Sequence, residues 1–184
     1  MRPSVRLDFA LFAGDPDAGA PVVSSDSALA EVRAGKDRFS LSGSPYGAIT
    51  IEKDGKALAE PKADPIIPLV TKLLRTVKYL IDGEPESVLF AESDHGFAFE
   101  RLSDEVSMSF FVGSDSFEPE SYLVRELLIP LDDYAAQVVE MGDKLIAMAP
   151  ERFKSDDEGL VEFLDLAKSA LKSRRLERDR TRRK

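Results

Sequence analysis

The sequence predicts an α+β fold: a largely antiparallel β-sheet, built from a meander and hairpins, packed against a central amphipathic helix and two C-terminal helices. Three observations predict it. Residues 64–83, DPIIPLVTKLLRTVKYLIDG, form a helical pattern with a start and a stop signal. Two apolar-polar alternating runs flank Asp54-Gly55, the dipeptide favoured in two-residue hairpin loops. Residues 87–112 continue that alternation across two turns of even length, so side-chain parity is preserved.

Taken in order, residues 4–12 read as a strand, with Val5, Leu7, Phe9 and Leu11 alternating with Arg6, Asp8 and Ala10. Residues 13–21, AGDPDAGAP, are a turn-rich loop. Residues 25–34 are expected as a short helix capped by Ser25 or Ser27 and stopped at Gly35, although a strand suits the same residues. Phe39 and Leu41 alternate with Ser40 and Ser42, which suggests a short strand. Residues 47–53 and 56–60 make the hairpin, with Ile51 opposite Leu58.

The central helix is expected to start with Asp64 as N-cap and Pro65 at the first helical position, where its missing N–H costs nothing. Ile66, Val70, Leu73, Val77 and Leu80 supply the apolar stripe, Leu69, Leu74 and Ile81 widen it, and Gly83 and Pro85 end it. The meander has strands 87–92, 97–102 and 105–112, with turns Ser93-Asp94-His95-Gly96 and Ser103-Asp104. It puts Val88, Phe90, Phe97, Phe99, Val106, Met108, Phe110 and Val112 on one face, whose natural cover is the helix 64–82. The other face carries Ala91, Glu100, Glu105, Ser107 and Ser109, with Leu89, Leu102 and Phe111 as apolar exceptions.

After the loop 114–120, residues 121–129 are expected as a strand ending at Pro130, since the residue before proline is pushed to extended conformations. A helix over 131–149 follows, with Leu131, Tyr134, Val138, Met141, Leu145 and Met148 on its buried side and Gly142 marking a close contact. The last helix, 156–173, starts with Asp156, Asp157 and Glu158 at its positive end. Residues 1–171 read as a single domain and 172–184 as a basic tail expected to fray.

Composition excludes several kinds of chemistry. There is no cysteine, which rules out disulfides, thiolate metal sites and thiol nucleophiles and fits a cytoplasmic protein. The single histidine, His95, rules out any site needing two. No apolar run reaches the roughly 18 residues of a membrane span, and the N-terminus lacks a signal-peptide pattern. The net charge of −9 is divided: residues 172–184 hold eight basic and two acidic residues, a net of +6, which leaves −15 on the rest.

Candidate chemistry is sparse. His95 is the one ordinary proton shuttle near neutral pH, set against a reading as a turn residue tolerant of unusual backbone angles. Asp15/Asp17, Asp132/Asp133 and Asp156/Asp157/Glu158 attract a cation in principle, but none has calcium-loop spacing, and acids at helix starts stabilise the helix anyway. Glu92, Glu100 and Glu105 are carboxylates that could meet near the meander. Ser24, Ser25, Ser27, Ser40, Ser42 and Ser44 have no histidine beside them in sequence. No glycine-rich phosphate loop and no nucleophile elbow occurs, and no metal or other cofactor is implied.

Two basic groups are candidate interaction residues. Lys72, Arg75 and Lys78 line one side of the central helix, where they either bind an acidic ligand or pair with neighbouring acids. Arg174, Arg175, Arg178, Arg182 and Arg183 belong to the tail. The tail lacks aromatic residues for base stacking and adjoins a body of the same sign as a polyanion, which disfavours nucleic acid as a partner. The expectation is therefore a non-catalytic acidic interaction module, immunity-like, antitoxin-like or an adaptor, that binds a basic protein. The alternatives are a small-ligand-binding domain or carboxylate-dependent hydrolase, and an assembly subunit docking through its C-terminal helix and tail.

Overall fold

A computed structural model describes residues 4–154 and 159–182. The elements run β1 (Val5–Phe12), β2 (Val22–Ser24), α1 (Ser25–Arg33), β3 (Tyr46–Lys53), β4 (Lys56–Ala57), β5 (Asp64–Pro65), α2 (Ile66–Asp82), β6 (Glu86–Leu89), β7 (His95–Leu102), β8 (Glu105–Val112), β9 (Ser121–Pro130), α3 (Leu131–Met148) and α4 (Leu160–Arg182), with 3-10 turns at Pro16–Ala18 and Arg152–Lys154. Among the described residues the result is an α+β mixture of four helices and two antiparallel sheets. One sheet has the order β2-β1-β3-β4, with β5 also on β3; the other is β6-β7-β8-β9.

The central helix and the meander meet as their patterns require. Leu73 of α2 comes together with Phe97, Phe99 and Met108 of the second sheet, Leu7 and Ile49 of the first, and Tyr134 of α3. Cover of the phenylalanine face is thus shared between α2 and α3. Phe97 and Phe110 stack across β7 and β8 with centroids 4.7 Å apart, and Phe99 lies 5.3 Å from the Tyr134 ring. The Tyr134 hydroxyl and Thr76 Oγ1, both buried, are 2.6 Å apart, so the polar tip of this core tyrosine is satisfied. Burying one such aromatic contributes about 1.5–3 kcal/mol relative to leaving it in water.

Helix α4 packs on α2 and α3. A Cβ on Gly142 would sit 3.0 Å from Leu164 Cδ1 and 3.1 Å from Leu74 Cδ1, which is the close helix contact its place inside α3 suggests. The hairpin turn has φ of 52° at Asp54 and 75° at Gly55, as a type I′ turn requires. Leu58 N donates to Ile51 O at 2.8 Å, so the expected pair stands opposite although β4 has only two residues.

Several local expectations are corrected. Asp64 does not cap α2: Pro65 occupies that place without a side-chain cap bond, because pairing of Asp64 with Gly47 holds it in the first sheet. Helix α1 is capped by Ser24, not Ser25 or Ser27, since Ser25 is turned into the interior. Phe39 and Leu41 form no strand; Ser40 between them has φ of 54°, and both apolar side chains are buried from irregular backbone. The first meander connection is residues 91–94, with Phe90 N donating to His95 O at 2.9 Å, so His95 and Gly96 belong to β7. That connection keeps four residues, which is why the parity and the buried face survive the shift. Phe111 is also buried, although it belongs to the opposite face. Helix α4 runs through the basic segment to Arg182, and Asp156, Asp157 and Glu158 lie outside the described residues.

Candidate functional site

His95 is half-buried at the head of β7, tilted beside the rings of Phe90 and Phe110 at 6.0 and 5.8 Å. It is not among the residues with positive φ, so it is a strand residue and not one tolerated for an unusual backbone angle. Its Nδ1 lies 3.1 Å from Ser93 Oγ. Burial and the nearby charge of Lys62 push the imidazole below its ordinary value, against a smaller opposing effect of Asp94. This favours the neutral ring, and its hydrogen-bond partner Ser93 is no carboxylate orienter of the kind a base needs.

A cluster that sequence reading did not find lies between β1, α1 and α3. Ser25 Oγ is 2.9 Å from both carboxylate oxygens of Asp8, and Lys144 Nζ is 3.0 Å from Ser25 Oγ and 3.1 Å from Asp8 Oδ2. Ser25 and Asp8 are buried, and the Lys144 side chain is 11% exposed. A serine beside a lysine invites comparison with an activated nucleophile, but that chemistry needs a neutral amine. Here burial pulls the ammonium down, while hydrogen bonds to Asp26, Glu140 and Asp8 outweigh it and hold Lys144 above its ordinary value. Lys144 stays charged and Ser25 stays inaccessible, so the cluster is a polar lock joining three elements. Nothing local marks it, since Asp8 and Lys144 are 136 residues apart in sequence.

A second lock joins the two sheets. The Asp64 carboxylate, 1% exposed, accepts from Ala91 N at 2.9 and 3.1 Å and from Glu92 N at 3.0 Å. Beside it, the Tyr46 hydroxyl donates to Glu92 Oε2 at 2.5 Å, and that bond pushes the phenol up.

Five of the candidate basic residues, Lys72, Arg75, Lys78, Arg174 and Arg178, are engaged with the protein itself. Lys72 Nζ donates to Leu89 O at 2.8 Å, Arg75 meets Glu86 at 3.2 Å, and Lys78 pairs with Asp82 one turn on. Arg174 reaches from α4 to Asp104 at 2.7 Å and Asp132 at 2.9 Å, and Arg178 joins Asp132. Arg175 is exposed on α4; the Arg182 side chain and all of Arg183 lie outside the described residues. The acids do not converge either. Asp15 accepts from Asp17 N at 3.0 Å as the cap of the first 3-10 turn, Asp132 holds α4, and Glu92 and Glu105 stand at opposite ends of the second sheet. Among the described residues, no three His, Asp or Glu side chains come together in a metal-binding group.

Acidic residues concentrate at one end of the second sheet. Its connections, 91–94 and 113–120, are joined by Gly113 N donating to Asp94 O at 2.8 Å. They carry Glu92, Asp94, Asp115, Glu118 and Glu120, all exposed, and no basic residue. Among these carboxylates, Phe117 is 92% exposed, its backbone held by an N–H bond to Asp115 Oδ1 at 2.8 Å. A wide cleft of about 940 Å³ lies elsewhere, between the ends of β1, β3 and β9, and brings Glu105, Glu126 and Asp133 near Lys53 and Arg125. The chain matches no protein family, no curated protein and no solved structure. No helix of the described residues is long and apolar enough to cross a membrane.

Proposed function

We propose that this protein is a non-catalytic acidic interaction module that binds a basic protein partner through the loop end of the second sheet. The observation that carries the reading is Phe117, 92% exposed among five carboxylates with no cation in either loop. An aromatic ring supplies the apolar anchor around which interface energy concentrates. Like charges on the two loops steer an oppositely charged partner and speed encounter. An immunity, antitoxin or adaptor role suits such a surface. A chain without cysteine fits a reducing compartment, and the cytoplasm is proposed as its location.

The test is capture from extract of the native host on the immobilised protein, at low and at high salt, with Phe117→Ala in parallel. A basic protein retained at low salt, released at high salt and lost when the Phe117→Ala variant is immobilised instead is the expected result. Absence of any salt-sensitive partner removes the reading.

Two specific observations keep alternatives in play. The cleft with Glu105, Glu126 and Asp133 supports a small-ligand site or carboxylate hydrolase, which a ligand-induced stabilisation localised there would favour. Leu166 and Leu176, 40% and 51% exposed on α4, support an assembly role, which sedimentation of a concentration-independent monomer would dismiss.

A further inference from the structure

We propose that the trough on the outer face of the second sheet seats an arginine side chain of the basic partner, clamped between Glu100, Glu126 and the ring of Phe117. This rests on the acidic-module reading and names the group that the same surface takes.

The trough follows from the sheet register. Ser87, Ala98 and Ser109 stand side by side across β6, β7 and β8, and three small residues in a row leave a channel about 480 Å³ in volume running across the strands. Glu100, one step along on the same face, flanks it, and Phe117 overhangs it from the 113–120 connection. No Lys, Arg or His lines it.

Glu126 reaches it through a backbone irregularity. Met108 pairs with Leu127 and Phe110 with Val124, so Arg125 and Glu126 together stand opposite Ser109. This bulge turns Glu126 outward, with its N–H on Ser109 Oγ at 3.0 Å and its φ at 51°. In regular alternation with buried Val124, Glu126 would point into the core. A glutamate held in the left-handed region is strained, and strain of this kind is retained where the residue it aims has a use. Its ion pair with Arg125 is long, 3.6 Å, with both side chains about 70% exposed, and leaves the carboxylate available.

Two carboxylates beside an aromatic face form a seat for a planar cation. A guanidinium donates to both acids while its plane lies against the ring, and the serine hydroxyls accept what donors remain. No Lys, Arg or His lines the seat, and Arg125, the cation that meets Glu126, does so only at 3.6 Å on the exposed surface.

The experiment titrates an acetylated hexa-arginine peptide into the ¹⁵N-labelled full chain at low salt. Expected amide shifts concentrate at Ala98, Glu100, Ser107, Ser109 and 116–118. Glu100→Gln is expected to weaken binding about tenfold and Phe117→Ala about fivefold, against less than twofold for Asp17→Asn, a charge change of equal size on a different loop. Glu126→Gly relieves the backbone strain, so it should raise the unfolding midpoint while weakening the peptide about fivefold, a pair of effects that misfolding cannot produce. Equal losses for Glu100→Gln and Asp17→Asn, or shifts clustered away from the trough, overturn the proposal. A host partner captured with undiminished salt sensitivity by Glu100→Gln also overturns it, yet leaves the acidic-module reading standing. Failure to capture any salt-sensitive partner strikes that reading instead.

Discussion

Asp64 separates what its neighbours in sequence suggest from what the fold does with it. As an N-cap before Pro65, it would tolerate Asn with no loss and would lose about 1 kcal/mol on replacement by Ala. In the folded protein its carboxylate instead holds the backbone N–H groups of Ala91 and Glu92 through three contacts of 2.9–3.1 Å from a residue 1% exposed. A hydrogen bond to a charged group contributes about 1.5–3 kcal/mol. Two donors lose their acceptor in Asp64→Ala; both belong to surface residues where water replaces part of the loss, so the lower end applies and the variant should lose about 3 kcal/mol. Asp64→Asn keeps one oxygen but turns an NH₂ group toward the other N–H, so it should lose about 2 kcal/mol, a substantial part of a domain's typical 5–15. Equilibrium urea unfolding of the three proteins measures this, and amide exchange at Ala91 and Glu92 should accelerate in both variants. If Asp64→Asn matches the wild type within about 0.5 kcal/mol while Asp64→Ala loses about 1, the carboxylate is a helix cap and the tie between the sheets is refuted.

The polar lock gives a second prediction: Lys144→Met leaves buried Asp8 with the largely exposed Arg6, 3.0 Å away, in place of its enclosed cation and should lose about 2 kcal/mol in urea unfolding, whereas a variant as stable as wild type would show the lock to be dispensable. Gly47→Ala places a Cβ 2.5 Å from Ala10 O and 2.8 Å from Ile66 Cγ1, so β1, β3 and α2 must part; a loss of about 3 kcal/mol is expected, and one below about 1 would show that the backbone gives way easily. Hydrogen bonds and charge from Lys144 and Arg174 hold Asp26 and Asp104 below the usual carboxylate range. Such acids stabilise the fold above their ordinary values, and the effect is lost as pH falls through the lowered ones, so the urea midpoint should drop below about pH 4, less steeply in Asp104→Asn. Phe117→Ala should leave thermal stability within about 0.5 kcal/mol of wild type, because the ring is 92% exposed; a larger loss would mean that the loop packs against the sheet.

The features legible beforehand were those with a short-range cause. Helix α2 carries its stripe and its stop at Gly83, where φ is 92°. The Asp54-Gly55 turn and the even-length connections made the strand faces readable, and a connection shifted by two residues still left Val88, Phe90, Phe97, Phe99, Val106, Met108 and Phe110 buried. Gly142 could be suspected because a glycine inside a helical pattern needs a packing reason. The candidate interaction surface was less legible. The basic residues that stood out by count, Arg174 and Arg178 among them, are tied to Asp104 and Asp132, while Phe117 lay in a segment with no periodicity to mark it. The bulge at Arg125 and Glu126 was hidden because a two-against-one pairing depends on the partner strand.

By itself, then, the sequence determined the α+β class, the kinds of element and the face each one buries, because those depend on side chains within a few positions of one another. The tertiary structure alone decided the polar partnerships. Asp64 meets an amide 27 residues away, Lys144 meets Asp8 across 136, and Arg174 meets Asp104 across 70. No local pattern encodes such meetings, since they arise only when packing of the apolar faces has brought distant backbone together and left each buried charge to find the donor or acceptor within reach.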